Sequence, residues 1–428
     1  MSWFDFSSCT SGRRKNISID ASSTHSLDSG STANGATDTS LFAVPPSEFA
    51  TSFDCYPRWL LAARVYALRT AASLAFSCIS PLPCEEPQTT TVLYLDSTLG
   101  TCQGPRCIPV HVWMPEPTLA PHALRTAIIN FHGGGFVLGQ GTDDCIWTSL
   151  AQQELDAVVF SVEYRLAPGY PFPKSIEDCV DAVLQIAARA SEFGIDASKI
   201  LLSGFSAGGS LALSTWVVLQ DPGRWGYCIN QPMPVVQGML LFYPGLDWSI
   251  TRDEKRRGCA RPDLTLPPSM TDLFDCSYIY PHLSREGRQD LRLSPGLMED
   301  ELVKKLPRIH FCLCEHDMLL AEEFRFIDRL KAANKDVSHR IVLDEKHAWD
   351  KPMPVAPKPS VFEEYRAALD EAKRWLNLEW TEVDLIASAS TETLTHSRTG
   401  SKNDSSRLLP LPFVMERSVS GSSMEPDL

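Results

Sequence analysis

From Ala127 onward the chain repeats one pattern, a short apolar run followed by a stretch with apolar residues at helical spacing. The runs are Ala127–Phe131, Ala157–Val162, Ile200–Gly204, Val235–Tyr243, Arg308–Leu313 and Arg340–Leu343, preceded by Thr91–Leu95 and Ile108–Met114. The later six are near-continuous in apolar residues rather than alternating, as expected of strands covered on both faces. Helical patterns fall between and after them at Asp178–Arg189, Ala207–Leu219, Ala321–Ala333 and Val361–Leu378. Strand–helix–strand order with right-handed crossovers permits few topologies. It predicts an α/β fold, with a mostly parallel eight-stranded sheet and helices on both faces.

The 428 residues, 43% of them apolar, suffice for one large domain with a substantial core. Composition shifts at both ends. Residues 1–44 and 386–428 are rich in Ser, Thr, Gly, Asn and Asp and are expected to be disordered tails around a domain of 45–385. The 53 acidic residues exceed the 39 basic ones, giving a net charge of -14 that repels nucleic-acid phosphates. A membrane span is also excluded. The stretch that comes closest, Trp59–Ile79, contains Arg64 and Arg69 and reads as a helix covering a pocket on its own protein, with peripheral membrane contact left open. The 13 cysteines lack metal-ligand spacing, so no metal site is expected. Cys102 and Cys107 bracket a Gly-Pro turn and would bridge only in an oxidising compartment. Residues Met1–Phe6 show neither a basic region nor a signal-length apolar stretch. The thiols are therefore read as reduced and mostly buried, in a cytoplasmic protein.

Chemistry enters at Gly204-Phe205-Ser206-Ala207-Gly208, between a strand and a helix. Glycines flanking Ser206 permit a turn sharp enough to leave its hydroxyl exposed above the sheet edge, at the positive end of the next helix. Upstream, His132-Gly133-Gly134-Gly135-Phe136 follows the strand Ala127–Phe131. Side chains do not cover the backbone N–H groups of such a run. Gly133 and Gly134, with Ala207 after the serine, would supply three donors to an oxyanion. The run has neither the Lys-Ser/Thr of a phosphate loop nor dinucleotide glycine spacing. His132 is expected to orient the loop.

A nucleophilic serine needs a base and an acid to orient it, in the chain order Ser, acid, His for this architecture. Asp317 and His347 each lie just beyond a strand C-terminal end, where ligands gather in open α/β sheets. Glu315, Asp344 and Glu345 compete as the acid, and His316 as the base. His316 is adjacent to Asp317 and precedes the last strand, so it points elsewhere if Asp317 faces the site. The predicted triad is Ser206, Asp317 and His347.

These motifs resemble the hormone-sensitive-lipase-like branch of the α/β-hydrolases, which includes esterases, lipases and deacetylases. Besides the two glycine motifs, the resemblance rests on Glu163-Tyr164-Arg165-Leu166-Ala167-Pro168, Pro171-Phe172-Pro173, Ser294-Pro295 and Asp317-Met318-Leu319, and it spans about 91–378. Arg165 would be buried and paired, not catalytic. There are three departures. Phe205 stands where relatives commonly carry Asp or Thr, Ala348-Trp349 follows His347 where Gly-Phe is usual, and the tails extend past the family core.

The resemblance implies the α/β-hydrolase fold with a mainly helical cap, here from about 45–83 and 247–299. Within the second segment, the charge run Arg252–Arg257 is expected to be a solvated loop. Trp59, Phe274, Tyr278 and Tyr280 are candidates to line the pocket. The implied activity is carboxylic-ester hydrolysis through an acyl-enzyme, on a small-molecule substrate and without cofactor. An acyltransferase or tailoring enzyme of small-molecule biosynthesis would use the same triad. A non-catalytic receptor on this fold would dispense with His347.

Overall fold

The computed structural model describes residues 49, 56–78, 90–100, 107–115, 124–351 and 356–378. Both predicted tails, Cys102 and part of the first expected cap segment, 45–83, lie outside them. The eight strands are β1 (Thr90–Asp96), β2 (Cys107–Trp113), β3 (Arg125–Phe131), β4 (Val158–Val162), β5 (Ile195–Phe205), β6 (Val236–Phe242), β7 (Arg308–His316) and β8 (Val337–Lys346). They form one sheet in the order β1-β2-β4-β3-β5-β6-β7-β8. Only the β1–β2 and β2–β4 pairings are antiparallel; β3 through β8 run parallel.

The helices are α1 (Arg58–Cys78), α2 (Cys145–Leu155), α3 (Lys174–Ala188), α4 (Ala207–Gln220), α5 (Arg252–Arg257), α6 (Pro268–Tyr278), α7 (Asp300–Val303), α8 (Leu320–Ala332) and α9 (Pro359–Leu376). Strand alternation divides the apolar residues between the two faces. Ile129, Leu202, Leu241 and Phe311 join α3, α4 and α8 in one core, while Ile128, Leu201, Leu240 and Cys312 join α2 and α9 in the other. Near-continuous apolar strands are the consequence of having helices on both sides. β8 departs from this expectation. It is an edge strand, largely exposed, with Leu343 turned to solvent.

The charge run is no solvated loop. Arg252–Arg257 forms α5, begun by a reciprocal cap between Thr251 and Glu254. Lys255 is buried against Glu322 of α8 at 2.6 Å, and Arg252 pairs with Asp275 of α6 at 2.8 Å. Arg256 donates to Thr271 Oγ1 at 2.5 Å. Each cation that leaves water finds an acceptor, which is the condition for burying it. α1 likewise puts its arginines to use: Arg58 donates to the carbonyls of Pro168 and Cys276, and Arg69 to those of Val137 and Ala167. These bonds and the buried Leu61 and Val65 seat α1 on the domain. No helix among the described residues is long and apolar enough to cross a membrane. Of the described free cysteines, Cys179, Cys276, Cys312 and Cys314 are buried, but Cys107 and Cys228 are exposed, fewer buried than expected.

Candidate active site

The turn from β5 into α4 places Ser206 at φ 52°, ψ -116°, a conformation that L-residues rarely adopt. Its N–H donates to Phe242 O at 2.9 Å, fastening the turn to the end of β6. Gly208 makes the approach possible: a Cβ there would lie 1.8 Å from Phe131 O, inside the end of β3. The start of α4 thus rests directly on the strand that leads into the glycine loop.

β7 ends at His316, and Asp317 follows with its carboxylate buried. Leu319 N donates to Asp317 Oδ1 at 3.0 Å, which leaves Oδ2 for His347 Nδ1 at 2.5 Å. On the other side of the ring, His347 Nε2 is 2.8 Å from Ser206 Oγ. An imidazole with its proton on Nδ1, toward the carboxylate, offers the Nε2 lone pair to the serine hydroxyl. Tyr243 meets the His347 ring edge-on at 4.9 Å and donates its hydroxyl to Asp350. Burial, then Asp350, push that phenol well above its ordinary pKa, so it stays a neutral donor.

The competing residues point elsewhere. Glu315 accepts from Asp344 N at 2.7 Å, and Glu345 pairs with Lys358 at 2.5 Å. His316 Nε2 stands 3.9 Å from Asp344 Oδ1. Glu315, His316 and Asp344 bring donor atoms within 4.8 Å of one another, the arrangement among the described residues best able to hold a metal ion.

The glycine loop is held by its histidine, as expected. His132 Nδ1 is 2.8 Å from Gly133 O, its ring stacks on Tyr164 at 4.2 Å, and Tyr164 Oη donates to His132 O at 2.8 Å. Gly134 has φ 111°, and a Cβ there would strike Leu138 O at 2.3 Å. Ala207 is the first residue of α4, where an N–H has no carbonyl within the helix. Arg165 is paired as expected, its guanidinium forking onto buried Asp178 at 2.6 and 2.8 Å.

The pocket candidates divide. Phe274 lies against the loop, since a Cβ on Gly135 would be 2.2 Å from its ring. Tyr278 is buried and stacks on Phe136 at 3.8 Å. Trp59 is 70% exposed and Tyr280 48%, the latter under the Arg58 guanidinium, so those two face outward.

A family model described as the alpha/beta hydrolase fold matches residues 128–351. The chain belongs to that family. Human arylacetamide deacetylase-like 2 is 27% identical to this α/β-hydrolase over 295 residues, 56% of this chain and 71% of its own. Mouse hormone-sensitive lipase is 29% identical over 174 residues, 41% of this chain and 22% of its own, consistent with the resemblance read from the motifs. Among solved structures, a bacterial heroin esterase superposes with a TM-score of 0.59 at 24% identity, covering 73% of this chain and 92% of its own. That likeness concerns the fold.

Sequence reasoning missed one group of residues in this α/β-hydrolase. Asp144, Tyr243, Asp350 and Lys351 surround the elbow and the His347 loop from three elements. The one local signal that could have drawn attention to them is Phe205, whose ring offers no hydrogen bond beside the nucleophile.

Proposed function

We propose that Ser206, His347 and Asp317 are the catalytic triad of a carboxylic-ester hydrolase acting on small-molecule esters. The observation that carries the reading is the continuous line from Ser206 Oγ to His347 Nε2 at 2.8 Å and from Nδ1 to Asp317 Oδ2 at 2.5 Å. The esterase and deacetylase relatives supply the bond type. Ser206 Oγ attacks the ester carbonyl while its proton passes to His347 Nε2, and Asp317 stabilises the imidazolium. The oxyanion accepts from the N–H groups of Gly133, Gly134 and Ala207, aided by the positive end of α4. The C–O bond to the alcohol breaks, and the alcohol departs with the proton from His347. Water then adds to the acyl-enzyme with His347 again as base, releasing the acid and restoring Ser206.

A fluorophosphonate probe should label Ser206, and Ser206→Ala should abolish both labelling and turnover of a soluble aryl ester. The fold of that variant should survive, because the turn depends on its glycines. Near-native turnover by the variant would refute the assignment.

A further inference from the structure

We propose that Lys351 is a positioning residue for the base, setting both the placement and the proton affinity of His347 from four residues downstream. The inference rests on the triad reading above. Lys351 Nζ lies 3.4 Å from the centroid of the Phe205 ring, the residue immediately before the nucleophile. The same ammonium is 2.6 Å from Asp144 Oδ1 and 3.1 Å from Asp350 Oδ2. Both carboxylates are fully buried, whereas the lysine side chain is 26% exposed.

Each contact belongs to a different part of the site. Asp144 immediately precedes α2, and its carboxylate accepts from Asn130 of β3 at 2.8 Å, one residue before the end of the strand leading into the glycine loop. Asp350 accepts from Tyr365 Oη of α9 at 2.6 Å and from the hydroxyl of Tyr243, whose ring packs on His347. Phe205 is stacked on Phe242 at 4.3 Å and cannot turn away. The ammonium therefore ties the end of the His347 loop to the elbow, to β3 and to the platform beneath the imidazole. Where the elbow lacks a polar side chain, the ring face of Phe205 receives a cation instead.

The cluster also has an electrostatic consequence. One cation lies between two buried carboxylates, leaving a net charge of about -1 beside the hydroxyl of Tyr243, whose ring packs on His347. Burial lowers the proton affinity of Lys351, but Asp144 and Asp350 more than offset this and hold it above the ordinary lysine range. Other charges bear on the site. Asp143 stands beside Asp144 and is raised by burial, Asp317 faces His347 directly, and Arg252 of α5 and Glu323 of α8 act on Asp317. Lys351 also acts on Asp143, while its ion pairs run to Asp144 and Asp350.

Removing the ammonium leaves Asp144 and Asp350 uncompensated, which favours the imidazolium. Because His347 must be neutral to accept the serine proton, the rising limb of kcat/KM should move to higher pH. In Lys351→Met we expect a shift of about half a pH unit or more, a fall in kcat of about tenfold, and KM within about twofold of wild type. Lys351→Arg keeps the charge and should keep the wild-type limb. Lys351→Met with Asp144→Asn restores the net charge without the tether, so the limb should return while kcat stays low. Should Lys351→Met fail to fold, Asp144→Asn carries the test with opposite sign, its limb moving to lower pH. A limb that stays in place in these variants, with only melting temperature or KM altered, overturns the proposal. Fluorophosphonate labelling of wild-type Ser206 separates the two readings. Without labelling the triad fails; with labelling and an unmoved limb only the role of Lys351 fails.

Discussion

The nucleophile side of the site and its acid–base side are held in place by different physics. Ser206, Gly133 and Gly134 owe their positions to backbone sterics: a turn at φ 52°, a glycine at 208 where a Cβ would lie 1.8 Å from Phe131 O, and a loop glycine at φ 111°. The packing around them is largely apolar, with Phe205, Phe242 and Trp147 meeting ring to ring. Asp317 and His347 instead sit in front of buried charge. Behind them lie Glu322 with Lys255, Arg252 with Asp275, Asp350 with Lys351, and the carboxyl of Glu323, which is buried with neither oxygen hydrogen-bonded. Sterics of this kind are indifferent to pH and intolerant of any added atom. The charged side tolerates isosteric change in shape but responds to every change in proton count.

The sharpest test on the charged side is Asp317→Asn. Its amide would hold the wrong imidazole tautomer in an unchanged fold, and kcat for a soluble aryl ester should fall by about 10⁴. Glu315→Gln, two residues away, should leave kcat nearly unchanged, because Glu315 holds Asp344 rather than His347. Were the two effects exchanged, the assignment of the acid would be wrong.

On the steric side, Gly134→Ala adds one methyl group at a position where Leu138 O already occupies the space. Displacing one oxyanion donor should lower kcat by about 10²–10³. A loss that varied strongly with pH would contradict the distinction drawn between the two sides.

His310 measures the pH sensitivity of the acid-bearing strand directly. Burial, helped by Arg340 and His339, lowers its pKa to about 3, so it stays neutral when folded. In the unfolded chain it gains a proton below about 6.5, so its contribution to stability is full above that pH and declines toward about 3. Between pH 7 and pH 5 the wild type should lose about 2 kcal/mol more stability than His310→Gln in urea titrations. Equal losses would show that the histidine is hydrated.

Glu323 should show the smallest effect and the opposite sign. Burial, then Asp317 and Glu322, raise its pKa well above normal. Unfolding lets it ionise above about 4.3, so its contribution is present at low pH and is lost as pH rises toward the folded value. Glu323→Gln should therefore raise Tm by roughly 2–4 °C at pH 8 and hardly at all at pH 4. A lower Tm at pH 8 would mean that the carboxylate is ionised and useful.

The difference between the sides also explains what the sequence could tell. Backbone sterics are local, so Gly204–Gly208 and His132–Phe136 announce the elbow and the loop within five residues each. Asp317 and His347 were legible one step further, from their positions just past strand ends. The inner strands β3 to β7 could be read for a related reason, since burial on both faces leaves unbroken apolar runs. Charge partners cannot be read this way. Lys255 and Glu322 are far apart in the chain, and nothing near Arg252–Arg257 indicates that acids on α6 and α8 await it. Trp59 and Tyr280, candidates for the pocket, face outward, because an aromatic side chain in the sequence does not reveal which way its segment will face. α2 went unread, its start marked only by Asp144, whose carboxylate serves Asn130 and Lys351 rather than its own helix.

The base is carried by a strand at the edge of the sheet. Ser206 follows β5, which has a neighbour on each side, whereas His347 follows β8, which pairs only with β7. Strands at a sheet margin exchange their amide hydrogens through small local openings, at free energies well below that of global unfolding. Each such opening of β8 would uncouple the imidazole from a serine still held in its turn. On gradual heating the catalyst should thus fall silent while most of its circular dichroism persists, with amides of 337–346 exchanging ahead of those of 195–205. In this enzyme the temperature at which function ends would be set at the margin of the sheet, not at its centre.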